Sequence, residues 1–201
     1  MRDLVEMVAA ARIGGTYNQY AEGERAGLLR DRLTAYLEVR SEATFLLVGE
    51  APGYLGARVS GIPFTSERQL LGTGPAEASA TIVHRVLAEL GLEDRVILWN
   101  VVPTHPGTEA SNRAPTRGEV AAGRVFAHRL AAGRRVTAIG RVAERALGAQ
   151  YVRHPARGGA AEFRAGMRRL VHEQVFTMRA GGSRARDLPR NGFGGVATSR
   201  G

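Results

Sequence analysis

Residues Phe45 to Gly61 read FLLVGEAPGYLGARVSG, and this stretch decides the fold. The apolar run that ends in Val48, together with Thr44 before it, predicts a strand over Thr44–Val48, buried on both faces of a parallel sheet. The strand leads into Gly-Glu-Ala-Pro-Gly, a turn with one carboxylate, Glu50. Open parallel sheets bind ligands at the carboxyl ends of their strands, so this turn is predicted to hold a ligand.

Strands and helices alternate along the rest of the chain. RVILW (Arg95–Trp99), RVTAI (Arg135–Ile139) and YVR (Tyr151–Arg153) predict three further strands. Apolar residues at helical spacing predict helices at Leu29–Leu37, Ile82–Leu90, Phe126–Leu130 and Phe163–Val171. Gly91 ends the second of these helices, and a capping box of Thr116 and Glu119 begins the third. A further short helix is predicted to end near Gly148. The order predicts an α/β protein of three layers, α/β/α, with a central four-stranded parallel sheet.

Length and composition predict one domain. The chain has 201 residues, of which 44% are hydrophobic, which suits one sizeable core over residues 1–178. Residues 179–201 are rich in Gly and Arg and are expected to be a disordered tail. No apolar run is long enough to span a membrane, and the first residues lack the apolar core of an export signal. We therefore expect a cytoplasmic protein, by default a monomer.

The charge of the chain favours a polyanionic partner. Its 28 basic residues, all arginine, exceed the 19 acidic ones, giving a formal charge of +9 and a pI near 11.1. This balance is typical of proteins that bind nucleic acid. A genome rich in G and C also explains the preference for arginine, but it explains the net excess of cations less easily.

Several site classes are excluded or disfavoured by the residues present. There is no cysteine, so disulfides, thiolate catalysis, iron-sulfur clusters and thiolate zinc sites are all excluded. No P-loop, no Gly-x-Gly-x-x-Gly after a strand and no His-Glu-x-x-His occurs. His84, His128 and His172 fall in predicted helices, and His105 falls in a loop with no assigned role. We therefore expect no cofactor and no metal.

Three polar side chains follow predicted strands. Glu50 follows the first strand, Asn100 ends the second and His154 follows the fourth. A carboxylate, an amide and an imidazole suit cleavage of an N-glycosidic bond. The carboxylate offsets positive charge on the sugar or orients water, the imidazole stabilises the departing base, and the amide pairs with the base edge.

Four motifs in this order resemble a known family. They are GEAPG at Gly49–Gly53, GIPF at Gly61–Phe64, the strand ending in Asn100 with NRAPT at Asn112–Thr116 beyond it, and His154-Pro155. Together they resemble the uracil-DNA glycosylase superfamily, closest to its bacterial and archaeal branch with the GEAPG turn. The resemblance covers roughly Thr16 to Leu170.

The resemblance implies residue roles. Glu50 is expected to help water attack C1′ of the sugar, and His154 to donate to the uracil O2 as the bond breaks. Phe64 is expected to stack on the extruded base, and Asn100 to pair with its edge. Base-binding residues are thus predicted to be Ala51, Gly53, Phe64 and Asn100. Phosphate contacts are predicted for Arg58, Arg68, Arg113 and Arg157.

The chain departs from the pattern in three places. The closest branch holds an iron-sulfur cluster through four cysteines, whereas this chain has none and carries Thr104 about where one ligand is expected. Some relatives place tyrosine at the position of Gly53 to exclude thymine, so glycine predicts a wider range of bases. After His154-Pro155, relatives carry serine and an apolar wedge, but here Arg157 lies in Ala-Arg-Gly-Gly, which leaves efficiency on duplex DNA open.

The sequence thus predicts a monofunctional DNA glycosylase. It is expected to flip uracil, and other deaminated bases, out of DNA and to leave an abasic site. No lysine is present to form a Schiff base. Two alternatives stay open: a module that binds uracil or abasic DNA without turnover, and a hydrolase of free nucleosides or nucleotides.

Overall fold

The computed structural model describes the backbone of residues 1–183 and the side chains of residues 1–173. Its helices are α1 (Arg2–Ala10), α2 (Ala26–Val39), α3 (Ala57–Ser60), α4 (Glu67–Leu71), α5 (Ala78–Glu89), α6 (Arg117–Ala131), α7 (Arg141–Leu147) and α8 (Ala160–Ser183). Its strands are β1 (Phe45–Gly49), β2 (Val96–Asn100), β3 (Gly107–Thr108), β4 (Ser111–Asn112), β5 (Arg135–Ile139) and β6 (Gln150–Val152).

Four strands form the central parallel sheet in the order β2-β1-β5-β6. Helices flank this sheet, so the predicted three-layer α/β/α architecture is confirmed. The first two strands end one residue later than predicted, because the ladder continues to the pair Gly49 and Asn100. The Val101 N–H donates to the Gly49 carbonyl at 2.9 Å and extends the pairing further. Asn100 is therefore held by the sheet itself.

The core explains why the two central strands read as unbroken apolar runs. Every residue of β1 and β2 is buried. Leu46 and Val48 of β1 belong to one hydrophobic cluster with Trp99 and with side chains of α1, α2, α6 and α7. Phe45 and Leu47 point to the opposite face and are buried as well, so β1 is covered on both sides.

The predicted helix signals of α5 and α6 hold in the structure. Thr116 Oγ1 accepts a hydrogen bond from the Glu119 N–H at 3.2 Å, and a Glu119 carboxylate oxygen accepts one from the Thr116 N–H at 2.7 Å. This is the predicted capping box at the start of α6. Helix α5 ends at Glu89, and Gly91 beyond it adopts the left-handed region with φ 62°.

The chain divides into two units after Met167, so α8 begins in the first unit and continues in the second. The predicted domain boundary after residue 178 stays a prediction. Residues 179–183, expected to be disordered, belong to α8, since each residue added to an existing helix adds a hydrogen bond without new nucleation. The rest of the predicted tail, 184–201, lies outside the described residues. No helix in the described part is both long and apolar enough to cross a membrane.

Candidate active site

The tips of β1 and β2 meet at Gly49, which pairs with Asn100. A Cβ atom placed on Gly49 would overlap the Phe64 ring and lie 3.2 Å from Asn100 Oδ1. Only glycine leaves this space free. Gly49 therefore allows an aromatic ring and a carboxamide to meet over the end of β1.

The Asn100 carboxamide has no partner in the part of the chain that the structure describes. Its residue is only 2% exposed, yet no described group hydrogen bonds to its side chain. The fully buried side-chain atoms without a hydrogen-bond partner in this part of the chain do not include those of Asn100, so its amide still reaches accessible space. The amide is available to pair with a bound molecule.

Phe64 is held in a conformation that bulky residues rarely adopt. Its φ is 51°, in the left-handed region, and its side chain is buried. The fully buried Ser60 fixes the loop, because its hydroxyl donates to the Thr65 carbonyl at 2.6 Å and accepts from the Ile62 N–H at 3.1 Å. Tyr20 adds a hydrogen bond from its hydroxyl to the Gly61 carbonyl at 2.8 Å. The sequence singled out the GIPF motif but not Ser60, whose role depends on the folded loop.

His154 lies beside Phe64, and within residues 1–173 one of its ring nitrogens has no hydrogen-bond partner. The two ring centroids are 6.3 Å apart at an interplanar angle of 39°. His154 Nδ1 accepts a hydrogen bond from the Ala156 N–H at 3.1 Å, so in the neutral ring the proton is on Nε2. Burial, and then the charge of Arg153, lower the pKa of His154. The site therefore presents a neutral imidazole with an N–H donor at Nε2.

Glu50 lies directly after the end of β1 and is half-buried. Burial raises the pKa of Glu50, and the positive charge of Arg145 opposes that rise. Within residues 1–173, no group hydrogen bonds to its carboxylate, although its backbone carbonyl accepts from the Val102 N–H at 3.0 Å. The backbone is thus fixed while the carboxylate keeps its acceptor capacity.

The GEAPG turn is held by two side chains from the loop after β2. The fully buried His105 places Nδ1 at 2.8 Å from the Pro52 carbonyl oxygen and Nε2 at 2.9 Å from that of Thr108. Asn112 Oδ1 accepts a hydrogen bond from the Tyr54 N–H at 2.8 Å. His105, which had no role in the sequence analysis, therefore positions the turn that carries Glu50.

The space beside Gly53 is occupied by a second carboxylate. A Cβ atom on Gly53 would lie 2.6 Å from Glu77 Oε2, and one on Gly56 would overlap the same oxygen. Burial raises the pKa of Glu77. The small residue at position 53 thus accommodates Glu77. Ala51, the other predicted base-binding residue of the turn, is half-buried and packs against the hydrophobic core.

The four predicted phosphate-binding arginines differ in their contacts. Arg58 pairs with Glu109 at 2.9 Å and lies over the Tyr17 ring, and Arg113 forms a two-pronged pair with Glu119 at 2.6 and 2.7 Å. Arg68 donates to the Gly74 carbonyl at 3.2 Å. Arg157 is exposed with φ 52°, at the loop after His154-Pro155. Arg58 and Arg113 are therefore already paired with carboxylates of the protein.

Thr104 occupies a buried polar contact and cannot act as a cluster ligand. Its hydroxyl lies 2.6 Å from that of Thr16. The Thr16 hydroxyl donates to the Ile13 carbonyl at 2.7 Å, which leaves its oxygen to accept from Thr104. Neither side chain has a thiolate, and the chain has none to offer. The residues present do not fit an iron-sulfur cluster. A hydroxyl pair instead ties the N-terminal segment to the loop after β2.

The fold and the strand tips define a class of α/β proteins that receive a ligand at the carboxyl edge of a parallel sheet. The sequence model of the Uracil DNA glycosylase superfamily matches residues 38–181. The chain therefore belongs to the uracil DNA glycosylase superfamily, whose members are N-glycosylases that act on DNA. The resemblance found in the sequence motifs is confirmed.

A solved structure shares the fold. The crystal structure of wild-type Pedobacter heparinus SMUG2 is similar to this chain with a TM-score of 0.65 at 14% sequence identity, over 89% of this chain and 98% of that one. At this identity the likeness concerns the fold alone. Among curated protein sequences, none matches the chain.

Proposed function

We propose that this chain is a monofunctional DNA glycosylase that hydrolyses the N-glycosidic bond of uracil in DNA and leaves an abasic site. The observation that supports the proposal is the position of the Phe64 ring, which lies over Gly49 beside Asn100 and 6.3 Å from the His154 ring, with Glu50 next to Gly49 in the chain. Superfamily membership supports the reaction class. The range of deaminated bases remains part of the proposal.

Base recognition follows from the groups left free. A planar base extruded from DNA stacks on Phe64, and the unpaired Asn100 amide supplies one acceptor and one donor to its edge. Uracil presents an N–H donor next to a carbonyl acceptor, which matches an amide in one orientation. A cytosine edge presents the reverse pattern, an acceptor at N3 beside an amino donor, which the amide matches only after a half-turn about its Cβ–Cγ bond.

Glu50 and His154 act on opposite sides of the bond that breaks. As the C1′–N1 bond breaks, its electron pair moves to the base and positive charge develops on the sugar, which the Glu50 carboxylate offsets. Water attacks C1′ and passes a proton to Glu50. The Nε2–H of neutral His154 donates to the base O2, where negative charge accumulates. The uracil anion takes up a proton from solvent after it leaves, and Glu50 returns its proton to solvent, so the net reaction consumes one water.

The reaction stops at the abasic site. Strand cleavage by a lyase requires an amine that forms a Schiff base with the sugar, and the chain contains no lysine. We therefore expect strand breaks only after alkali treatment.

The test is base release from single-stranded and duplex oligonucleotides that contain one uracil, followed by alkali. We expect release by the wild type, a loss of about 10²–10⁴-fold in Glu50→Gln, and near-normal release by Glu89→Gln, an exposed acid paired with Arg164. Oligonucleotide binding should survive in Glu50→Gln.

Other results identify the alternatives. Binding of uracil DNA by folded wild-type protein without base release would support a binding module. The loop around Arg157, which lacks an apolar wedge, would then be central to that binding. Release from deoxyuridine in preference to uracil DNA would support a nucleoside hydrolase. Failure of all three activities in folded protein would overturn the proposal.

A further inference from the structure

A groove of about 500 Å³ lies between α6 and α7. It is lined by the first half of α6, from Arg117 to Arg124, and by Val142 to Ala146 of α7. Its floor is apolar, with Val120 and Val142, and its charged lining residues are Arg117, Arg124 and Arg145. The volume is in the range of small-molecule and nucleotide sites.

The three arginines of this groove form no ion pair within the described part of the chain. All three are exposed, and among the described residues none of them hydrogen bonds or forms an ion pair with another group. Some arginines of the fold are held by acids, as in the pairs of Arg25 and Arg32 with Glu67. Three unpaired guanidinium groups around an apolar floor form a site of positive potential that attracts phosphates.

The groove opens at the same edge of the sheet as the proposed active site. Helix α7 begins directly after β5, and a Cβ atom placed on Gly140 between them would lie 3.5 Å from His154 Cβ. The start of α6 lies at this edge too, because α6 runs back from the loop after β2 to the beginning of β5. The charge of Arg145 reaches Glu50. A strand that enters the pocket can therefore continue into the groove.

We propose that the groove between α6 and α7, with Arg117, Arg124 and Arg145, binds the sugar–phosphate backbone of the DNA strand next to the extruded nucleotide. This inference rests on the proposed function, because it assumes that DNA is the substrate. Guanidinium groups bind the phosphates, and the Val120–Val142 floor packs against a sugar or base of the same strand. The site is sequence-independent, since phosphates carry no base information.

The arginines of the groove are not those that the sequence predicts to bind phosphates. Arg58 and Arg113 are held by Glu109 and Glu119, so a phosphate would have to compete with a carboxylate for them. Among the described residues, the groove arginines form no ion pair with a carboxylate, although the charge of Arg145 acts on Glu50. Their contribution to binding should therefore exceed that of the paired arginines.

The test compares two triple variants with the same change in net charge. The groove variant is Arg117→Gln/Arg124→Gln/Arg145→Gln, and the control is Arg2→Gln/Arg85→Gln/Arg129→Gln, three exposed arginines outside the groove. Binding of a single-stranded uracil oligonucleotide to full-length protein is measured by fluorescence anisotropy at several salt concentrations. Because each lost phosphate contact lowers the slope of log K against log salt by about 0.7, the groove variant should lose roughly 2 from this slope, and the control much less.

The outcomes separate the groove from the glycosylase activity. Equal slopes and affinities in both variants would overturn the proposed DNA-binding role of the groove, whether or not base release occurs. A lowered slope in the groove variant alone supports it, even if the wild type releases no base, in which case only the proposed function fails. Thermal denaturation checks that both variants fold.

A second arm identifies the source of the phosphate. Inorganic phosphate and deoxyuridine monophosphate are titrated as competitors of the oligonucleotide. A strand site predicts that both compete only at concentrations far above that of the oligonucleotide. Competition by the mononucleotide at the oligonucleotide's own affinity, lost in the groove variant, would overturn the strand proposal in favour of a mononucleotide site.

Discussion

Two regions of the molecule use the same three polar residue types in opposite ways. One is the loop clamp, defined by Asn18, His105 and Glu119, which ties the N-terminal segment and the loops after β2 together. The other is the strand-tip site, defined by Glu50, Asn100 and His154. In the clamp the polar groups are paired within the protein, whereas in the strand-tip site they keep free donors or acceptors. The comparison separates groups that stabilise from groups that are available for chemistry.

The two carboxylates show the difference most clearly. Glu119 is 2% exposed and accepts hydrogen bonds from the Arg113 guanidinium and from the N–H groups of Gly15 and Thr116. The Arg113 hydrogen bonds, against the effect of burial, lower the pKa of Glu119 to about 2. Burial raises the pKa of Glu50, which has no hydrogen-bond partner among the described residues. A carboxylate that stays ionised and paired, such as Glu119, stabilises the fold, whereas an unpaired carboxylate such as Glu50 is suited to proton transfer.

The amides and imidazoles follow the same division. Asn18 Nδ2 lies 2.9–3.1 Å from three backbone carbonyl oxygens, and its Oδ1 accepts from the Tyr20 N–H at 3.1 Å. The Asn100 amide has no described partner. His105 has a carbonyl oxygen at each ring nitrogen, whereas His154 uses only Nδ1 among the described residues. Free donors and acceptors at one site add nothing to the stability of the fold, which a protein tolerates where function requires it.

The largest effect on the rate of base release and on stability is expected when each of the two carboxylates is replaced by an amide. Glu50→Gln should lower single-turnover base release by about 10²–10⁴-fold with little change in the free energy of unfolding. Glu119→Gln should leave the release rate of folded protein nearly unchanged and lower the free energy of unfolding by roughly 1–3 kcal/mol, because one oxygen acceptor is lost. Single-turnover assays and urea denaturation measure the two quantities. Similar profiles for the two variants would remove the distinction.

The amide pair should show a smaller effect of the same kind. Asn100→Ala should lower base release by roughly 10–100-fold at nearly constant stability, since it removes pairing with the base and no described contact in the protein. Asn18→Ala should lower the free energy of unfolding by roughly 2–3 kcal/mol, because buried carbonyls lose their donor. The same two assays apply. A large loss of stability in Asn100→Ala would show that its amide has a structural partner in the folded protein.

Parts of this division could be read from the sequence. The strands follow from their apolar runs, and the strand-tip rule places Glu50, Asn100 and His154 at one edge because parallel strands all end there. The α6 cap follows from a local motif, Thr116 and Glu119. Local rules are sufficient where the partners are neighbours in sequence or where topology alone brings them together.

The clamp could not be read in this way, because its contacts join distant residues. Glu119 meets Gly15 across 104 positions, and His105 meets Pro52 across 53. Short elements were missed for a related reason: β3 and β4 have two residues each, too few for a periodic pattern. The missed α1 carries Leu4, Val5 and Val8 as its buried stripe, a helical spacing that was present in the sequence.

Acid should weaken the clamp over a definite range. Because the folded-state pKa of Glu119 lies below its unfolded value near 4.5, its stabilisation is complete above that value and is lost as the pH falls toward about 2. The difference in free energy of unfolding between wild type and Glu119→Gln should therefore shrink between pH 5 and 2. Urea denaturation at several pH values measures it, with Glu89→Gln as the control. A difference that stays constant down to pH 2 would contradict the assigned ion pair.

The smallest effect concerns the charge that couples the groove to the strand-tip site. Ionised Glu50 is the form that accepts a proton, so base release should fall as the pH drops below its pKa. Arg145 lowers that pKa against the effect of burial, so Arg145→Gln should move the acid limb of the rate profile to higher pH. Single-turnover assays with enough protein to saturate the DNA keep weaker binding out of the measurement.

The matched control for this shift is Arg117→Gln, which removes a groove arginine that does not act on Glu50. It should weaken DNA binding without moving the acid limb. Salt should reduce the shift caused by Arg145→Gln, since mobile ions screen charges separated by solvent. Equal shifts in both variants would mean that the limb reports the general loss of positive charge in the groove, and the specific coupling of Arg145 to Glu50 would be wrong.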